Sequence, residues 1–386
     1  MTLPRQSSWL LLAGILAGFL GASWQGRLAS GYSKPDGFRR FHQRISPDAL
    51  YYPPYAMLEA LALARWHPGQ TLVIIGGNSI FNGVGQPVDD LWSVQLQELL
   101  GARYVVVNLA FRGAYPAQGA ALVAESLLLR GYPVIYVANT NPPAATGRAV
   151  GGASGYLYWQ ALYQHRLSGY APRETEIRNW LQTLPPKERE QQAEERLGSW
   201  LEAWTRHQSL WHHIGYRHVF TVWNFVVAQD PWGARDHLPD NEPQARPLGE
   251  RFKNLLPEEM AIVRGYSANM AVQDAHQQWH LEGGNRQRLV DDIEKTIIPS
   301  LRPHTLIILN KNCPYYLNLL TASERARDTA VYADSAQIWR DHGIACAVSG
   351  EDYESIDYID RAHLSSDGGR KVARLVAQQI RQLHQP

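Results

Sequence analysis

Apolar residues along this chain fall into two alternating patterns. Short unbroken runs, "TLVII" (71–75), "YVVVNLA", "PVIYVANTN", "TLIILN" (305–310) and "GIACAVSG", are the mark of strands buried on both faces. Between them lie stretches with helical spacing. "DDLWSVQLQELLG" has acids in its first turn and Gly101 as its stop. "YPAQGAALVAESLLLRG" has Pro116 near its start and Gly131 just past its end. "TASERARDTAVYADSAQIWRDHG" opens with a capping box, Thr321 with Glu324, and ends at Gly343. "DGGRKVARLVAQQIRQL" turns Val372, Leu375, Val376 and Ile380 to one side. Strands and helices that alternate over short connections predict an α/β fold: a three-layer α/β/α sandwich around a five-stranded, mainly parallel sheet with right-handed crossovers. In such sheets ligands bind at the C-terminal ends of the strands.

The rhythm breaks twice. Residues 151–285 lack comparable apolar runs, and their charged stretch places Leu197, Trp200, Leu201 and Trp204 on one helical face, so a mainly helical insertion is expected there. Residues 26–70, rich in Tyr, Pro and Arg ("YSKPDGFRRF", "YYPPY"), read as a stem or linker. Residues 1–25 carry "SWLLLAGILAGFLGASW" behind Arg5, a signal anchor or signal peptide by length and position. Arg27, Lys34, Arg39, Arg40 and Arg44 follow it, which the positive-inside rule would keep in the cytoplasm. The expectation is nevertheless export, with a single membrane segment and the domain outside the cytoplasm. The fold proper is assigned to 71–150 and 286–386.

Composition narrows the function. With 45% hydrophobic and 19% charged residues the 386-residue chain is a folded protein, and a net charge of +1 gives no reason to expect nucleic acid. Thirteen Trp and nineteen Tyr suit a packed core as well as a glycan- or lipid-facing surface. The two cysteines, Cys313 and Cys346, exclude a structural zinc cluster and leave either one disulfide or two buried thiols. His212, His213, His237, His276 and His280 lack paired-ligand spacing with a carboxylate or cysteine, so no metal is expected. "GGNSIFNGVG" lacks the Gly-Lys-Ser/Thr ending of a phosphate-binding loop.

The candidate chemistry lies at the strand ends. Ser79 sits four residues past the first strand in "GGNSIFNG", where Gly76 and Gly77 let the chain turn and a helix starts. A serine hydroxyl is a poor nucleophile at neutral pH and needs a base oriented by a third group. "DYIDRAHLSSDGG" supplies both: Asp360 and His363, three apart before the last helix, a spacing that lets the carboxylate fix the imidazole tautomer. Taken alone, the serine reads as an ordinary polar turn residue, and the Asp–His pair equally as a structural one.

Together, "GGNS" with a following glycine, a late Asp-x-x-His and five parallel strands resemble the SGNH, or GDSL-type, hydrolase superfamily, whose sheet is flavodoxin-like. The resemblance implies a catalytic triad of Ser79, His363 and Asp360 and an oxyanion hole built from Ser79, Gly113 in "NLAFRGAYP" and Asn141 in "ANTNP", with Asn139 as second choice. It departs at Asn78, where the family has Asp; at Asn139, where it has Gly; and at Pro142, where it has Asp. Asn78 and Arg112 are weaker candidates for substrate contact. No cofactor is implied. The layout of membrane segment, stem and interrupted domain is similar to envelope proteins of the DltD type. That implies an esterase or acyltransferase acting on an acyl ester, an O-acyl or O-acetyl group of a cell-envelope glycan, beside a membrane-bound acyltransferase. The competing expectation is a non-catalytic binding or assembly subunit on the same scaffold.

Overall fold

The computed structural model describes residues 8–18, 20–21, 43–46, 49–51, 55–110, 114–117, 119–142 and 256–383. The expected amphipathic helix around Trp200, the histidines at 212, 213 and 237, and both Arg112 and Gly113 lie outside them. The chain divides into two compact units, residues 1–38, 42–52 and 168–238 in the first and 39–41, 53–167 and 239–386 in the second. In the first, residues 8–18 and 20–21 are helical, with Trp9, Leu10, Ile15 and Leu16 exposed. Strands β1 (Gln43–Ser46) and β2 (Ala49–Tyr51) form an antiparallel pair. Among the described residues no helix is long and apolar enough to cross a membrane.

The second unit opens with α1 (Tyr55–Arg65) and then builds one sheet from β3 (Thr71–Ile75), β4 (Tyr104–Asn108), β5 (Val134–Thr140), β8 (Thr305–Asn310) and β9 (Ala345–Ser349). All five strands are parallel, in the order β4-β3-β5-β8-β9, so counting only these strands the order is 2-1-3-4-5. This is the predicted flavodoxin-like sheet. Its apolar runs are continuous because both faces are covered. Val73 and Ile75 join one core cluster with Trp92, Leu96, Val376 and Ile380, while Leu72 and Ile74, pointing the other way, are equally buried. The first cluster is closed by α3 (Trp92–Leu100) packed on the C-terminal helix α9 (Ser366–Leu383). On the other side α4 (Ala120–Leu129) lies over β3 and β5 with α1 beside it, and α8 (Ala322–Asp341) covers β8 and β9. The Thr321 capping box of α8 is formed in both directions, at 2.8 and 3.2 Å.

Two boundaries move. Residues 55–65, read as stem, form a helix that buries Leu58, Leu61 and Ala62 and sets Arg65 Nη1 on the Val106 carbonyl at 3.3 Å. The tail of the expected insertion belongs to the second unit: α5 (Leu256–Ala268) and the hairpin of β6 (Ala271–Gln273) and β7 (Trp279–Leu281), followed by α6 (Gly283–Thr296). Proximity to α8 explains the second shift, since α5 and β7 each pack against it.

The two cysteines are free and buried. Burial pushes the Cys313 thiol up to about 11 and the Cys346 thiol to about 12. The thiolate is the reactive form, so both stay inert at neutral pH. Dithionitrobenzoate at pH 8 is expected to titrate neither thiol in the native protein and both in guanidinium. Rapid reaction of one native thiol would contradict this burial.

Candidate active site

The first half of the site is the turn that leaves β3. Gly77 has φ +93°, and a Cβ there would fall 2.2 Å from Asn139 Oδ1, so only glycine fits. Asn78 then caps a short helix, α2 (Ser79–Asn82), its Oδ1 accepting from the Ile80 amide at 3.0 Å. Here the asparagine does what an N-cap acid would do, and its oxygen is committed to the turn and not to substrate. Below the turn, the Phe81 carbonyl accepts from Trp92 Nε1 at 2.7 Å and from Asn108 Nδ2 at 3.0 Å. Asn82 Nδ2 donates to the Ala110 carbonyl at 2.8 Å. Ser79 thus stands on a fully buried support.

The second half is the loop after β9. Tyr358 and Leu364 form an isolated antiparallel bridge, and the Ile359 amide donates to the His363 carbonyl at 2.9 Å, closing residues 359–363 into a tight turn. Inside it Asp360 Oδ1 accepts the amides of Ala362 and His363 at 2.9 and 2.8 Å, and Asp360 Oδ2 accepts from His363 Nδ1 at 2.7 Å. His363 Nε2 lies 2.8 Å from Ser79 Oγ. Three side chains from opposite ends of the chain therefore form one hydrogen-bonded line. Burial acts to raise the Asp360 pKa, and the hydrogen bonds and charge of His363, with the two backbone amides, outweigh it and hold the carboxyl below its usual value. Its contribution to stability is therefore present above the ordinary carboxyl range and is lost as pH falls through the lowered value. At neutral pH the carboxylate is charged.

Two contacts bring the halves into register, and a third braces the Asp360 loop from behind. Gly85 has φ +87°, and a Cβ on it would fall 1.9 Å from Ile359 Cδ1, so the turn following Ser79 can close directly on the Asp360 loop. Gln86, buried, accepts from the Trp92 amide at 2.9 Å and reaches the Leu364 and Ser365 carbonyls, both at 3.4 Å. From the far side Arg361 Nε donates to Glu259 Oε2 at 2.6 Å and Nη1 to Asn312 Oδ1 at 2.9 Å, and the Arg361 carbonyl accepts the Cys313 amide at 2.8 Å. Gln86, Arg361 and Glu259 carry no motif, and sequence reasoning missed them.

The oxyanion candidates separate clearly. The Ser79 amide has no acceptor among the described residues. Asn141 follows β5, the neighbour of β3, at the point where the strand order reverses. Its Oδ1 is buried without a partner. Asn139 is excluded as a donor, because Nδ2 already gives both hydrogens, to Asn78 Oδ1 at 2.9 Å and Asn310 Oδ1 at 2.7 Å. The second choice is thereby corrected: Asn139 points into the sheet edge, not into the site. Elsewhere His280 lies 3.4 Å from an Asp274 oxygen and 3.7 Å from an Asp334 oxygen. Among the described residues no group of three or more His, Cys, Asp or Glu could hold a metal ion.

No family model and no curated protein match the chain. Among solved structures, the native aryl esterase of M. smegmatis is similar at 10% identity, over 81% of this chain and 99% of that one, with a TM-score of 0.32. A likeness that distant has no weight for activity.

Proposed function

We propose that this chain is a serine esterase or acyltransferase of the SGNH type, working through an acyl-enzyme on Ser79. The observation that carries the reading is the line Ser79 Oγ–His363 Nε2–Asp360 at 2.8 and 2.7 Å, because an alcohol in contact with an oriented imidazole can lose its proton as it attacks. His363 Nε2 takes the Ser79 proton while Oγ bonds to the ester carbonyl carbon, and the carbonyl π pair moves to oxygen. The resulting oxyanion is met by the Ser79 amide, the Asn141 side-chain amide and the Gly113 amide. Collapse restores the carbonyl and expels the alcohol, which leaves with the proton from His363. Water, or a second hydroxyl, then gives its proton to His363 and attacks the acyl-enzyme, and the departing Ser79 oxygen takes that proton back from His363. Asp360 holds the imidazole tautomer and stays ionised throughout.

The substrate class we assign is an O-acyl or O-acetyl ester of a cell-envelope glycan. Residues 8–18 and 20–21, helical with exposed Trp9, Leu10 and Ile15, support attachment to a membrane, where the domain would work outside the cytoplasm beside a membrane-bound acyltransferase. The test is labelling of the full-length protein, purified in detergent, with a fluorophosphonate probe. Labelling of the wild type that is lost in Ser79→Ala is expected. A folded wild type that neither labels nor releases p-nitrophenol from p-nitrophenyl acetate would favour a binding subunit instead.

A further inference from the structure

Three buried polar side chains stand side by side along the C-terminal edge of the sheet: Asn139 near the end of β5, Asn310 at the end of β8 and Ser349 at the end of β9. Asn310 and Ser349 are register partners, and the pairing of Thr140 with Leu309 sets Asn139 beside the same edge. Ser349 Oγ accepts from Asn310 Nδ2 at 2.7 Å, and Asn310 Oδ1 accepts from Asn139 Nδ2 at 2.7 Å. Asn139 then closes a two-way pair with Asn78, accepting its amide at 2.9 Å and donating to its Oδ1 at 2.9 Å. From α8 the Tyr332 hydroxyl fixes the Asn310 carbonyl at 2.7 Å.

Amides set among buried apolar strands cost free energy unless every bond is made. Asparagine is also a poor strand former. Here the polar line ends on the residue before the nucleophile. The pair with Asn139 fixes both the backbone and the side chain of Asn78, so that Asn78 Oδ1 caps the Ile80 amide and the neighbouring Ser79 amide keeps its hydrogen.

We infer that Asn139, backed by Asn310 and Ser349, is a positioning residue that sets the turn around Ser79, keeping its hydroxyl on His363 and its amide open to an oxyanion. The inference rests on Ser79 acting as the nucleophile.

Its test uses the full-length protein and the rate of fluorophosphonate labelling per folded molecule. Asn139→Ala is expected to label about 100-fold more slowly, the scale of a displacement near 1 Å at a reacting group. KM for p-nitrophenyl acetate should change little, because the lost arrangement acts in the transition state. Asn139→Asp supplies a signature that loss of stability alone would not produce. Ionised, it faces the oxygens of Asn78 and Asn310, whereas protonated it can restore one donated bond. Its deficit relative to wild type should therefore grow as pH rises. Should Asn139→Ala fail to fold, Ser349→Ala, at the far end of the line, should slow labelling several-fold. Wild-type labelling rates in folded variants, or a deficit independent of pH, would overturn the inference. A folded wild type that does not label would instead overturn the proposed function, and this inference with it.

Discussion

Asp360→Asn is expected to slow acylation by about 10⁴-fold, and His363→Ala by about 10⁶-fold, with the double variant no slower than His363→Ala. The asparagine should leave the loop intact, since its Oδ1 can still accept the Ala362 and His363 amides that now bond Asp360. Its other atom becomes an NH₂ facing His363 Nδ1, where the carboxylate now accepts at 2.7 Å. The imidazole must then carry its hydrogen on Nε2, toward Ser79, and cannot take the serine proton. The rate falls through the wrong tautomer, without unfolding. Because the two residues act as one unit, their losses should not add. The measurement is the single-turnover burst of p-nitrophenol from p-nitrophenyl acetate, normalised to folded protein. An Asp360→Asn burst within tenfold of wild type would reduce the aspartate to a loop brace. The wild-type burst should not decline at mildly acidic pH through loss of the carboxylate, because Asp360 titrates below the ordinary carboxyl range.

The fold was legible where burial imposes a period. The five strands of the sheet are unbroken apolar runs because helices cover both of its faces, and the helices between them announce themselves by caps such as Thr321 with Glu324. The candidates Ser79, Asp360 and His363 were legible for a different reason: Ser79 sits in a short motif just past a strand, and Asp360 and His363 in one just before the last helix. Other parts gave weaker signals. The tyrosines and prolines at 51–54 drew attention away from the Leu58, Leu61 and Ala62 spacing of α1. Strands β6 and β7, three residues each, are too short to show a period. Pro257, Glu258 and Glu259 at the start of α5 were a readable helix signal. Gln86 and Arg361 work through long-range contacts, to which local pattern is blind. Asn139 lay between: an asparagine at a strand end suggested an oxyanion donor, and only its partner Asn310, 171 positions away, shows why it cannot be one.

Trp92→Ala is expected to cost about 3–5 kcal/mol of stability, the range for truncating a buried aromatic. Trp92 is fully buried, its ring centroid 4.4 Å from that of Phe81, and its Cβ lies 3.2 Å from where a Cβ on Gly369 would stand, so the start of α9 rests directly on it. Alanine leaves a cavity between α3, α9 and the Ser79 turn. It also removes the Nε1 donor to Phe81, whose carbonyl keeps only Asn108 Nδ2. Trp92→Phe separates the two contributions: it fills most of the space and loses the donor, and about 1–2 kcal/mol is expected. Urea titration should show both shifts as a lower midpoint at unchanged slope, with Tm falling roughly 6–20 °C for the alanine variant. The functional consequence follows from the same contacts. Phe81 lies two residues after Ser79, so folded Trp92→Ala molecules should also label with fluorophosphonate more slowly than wild type. Folded molecules that label at the wild-type rate would show that α2 keeps Ser79 in place without the indole beneath it.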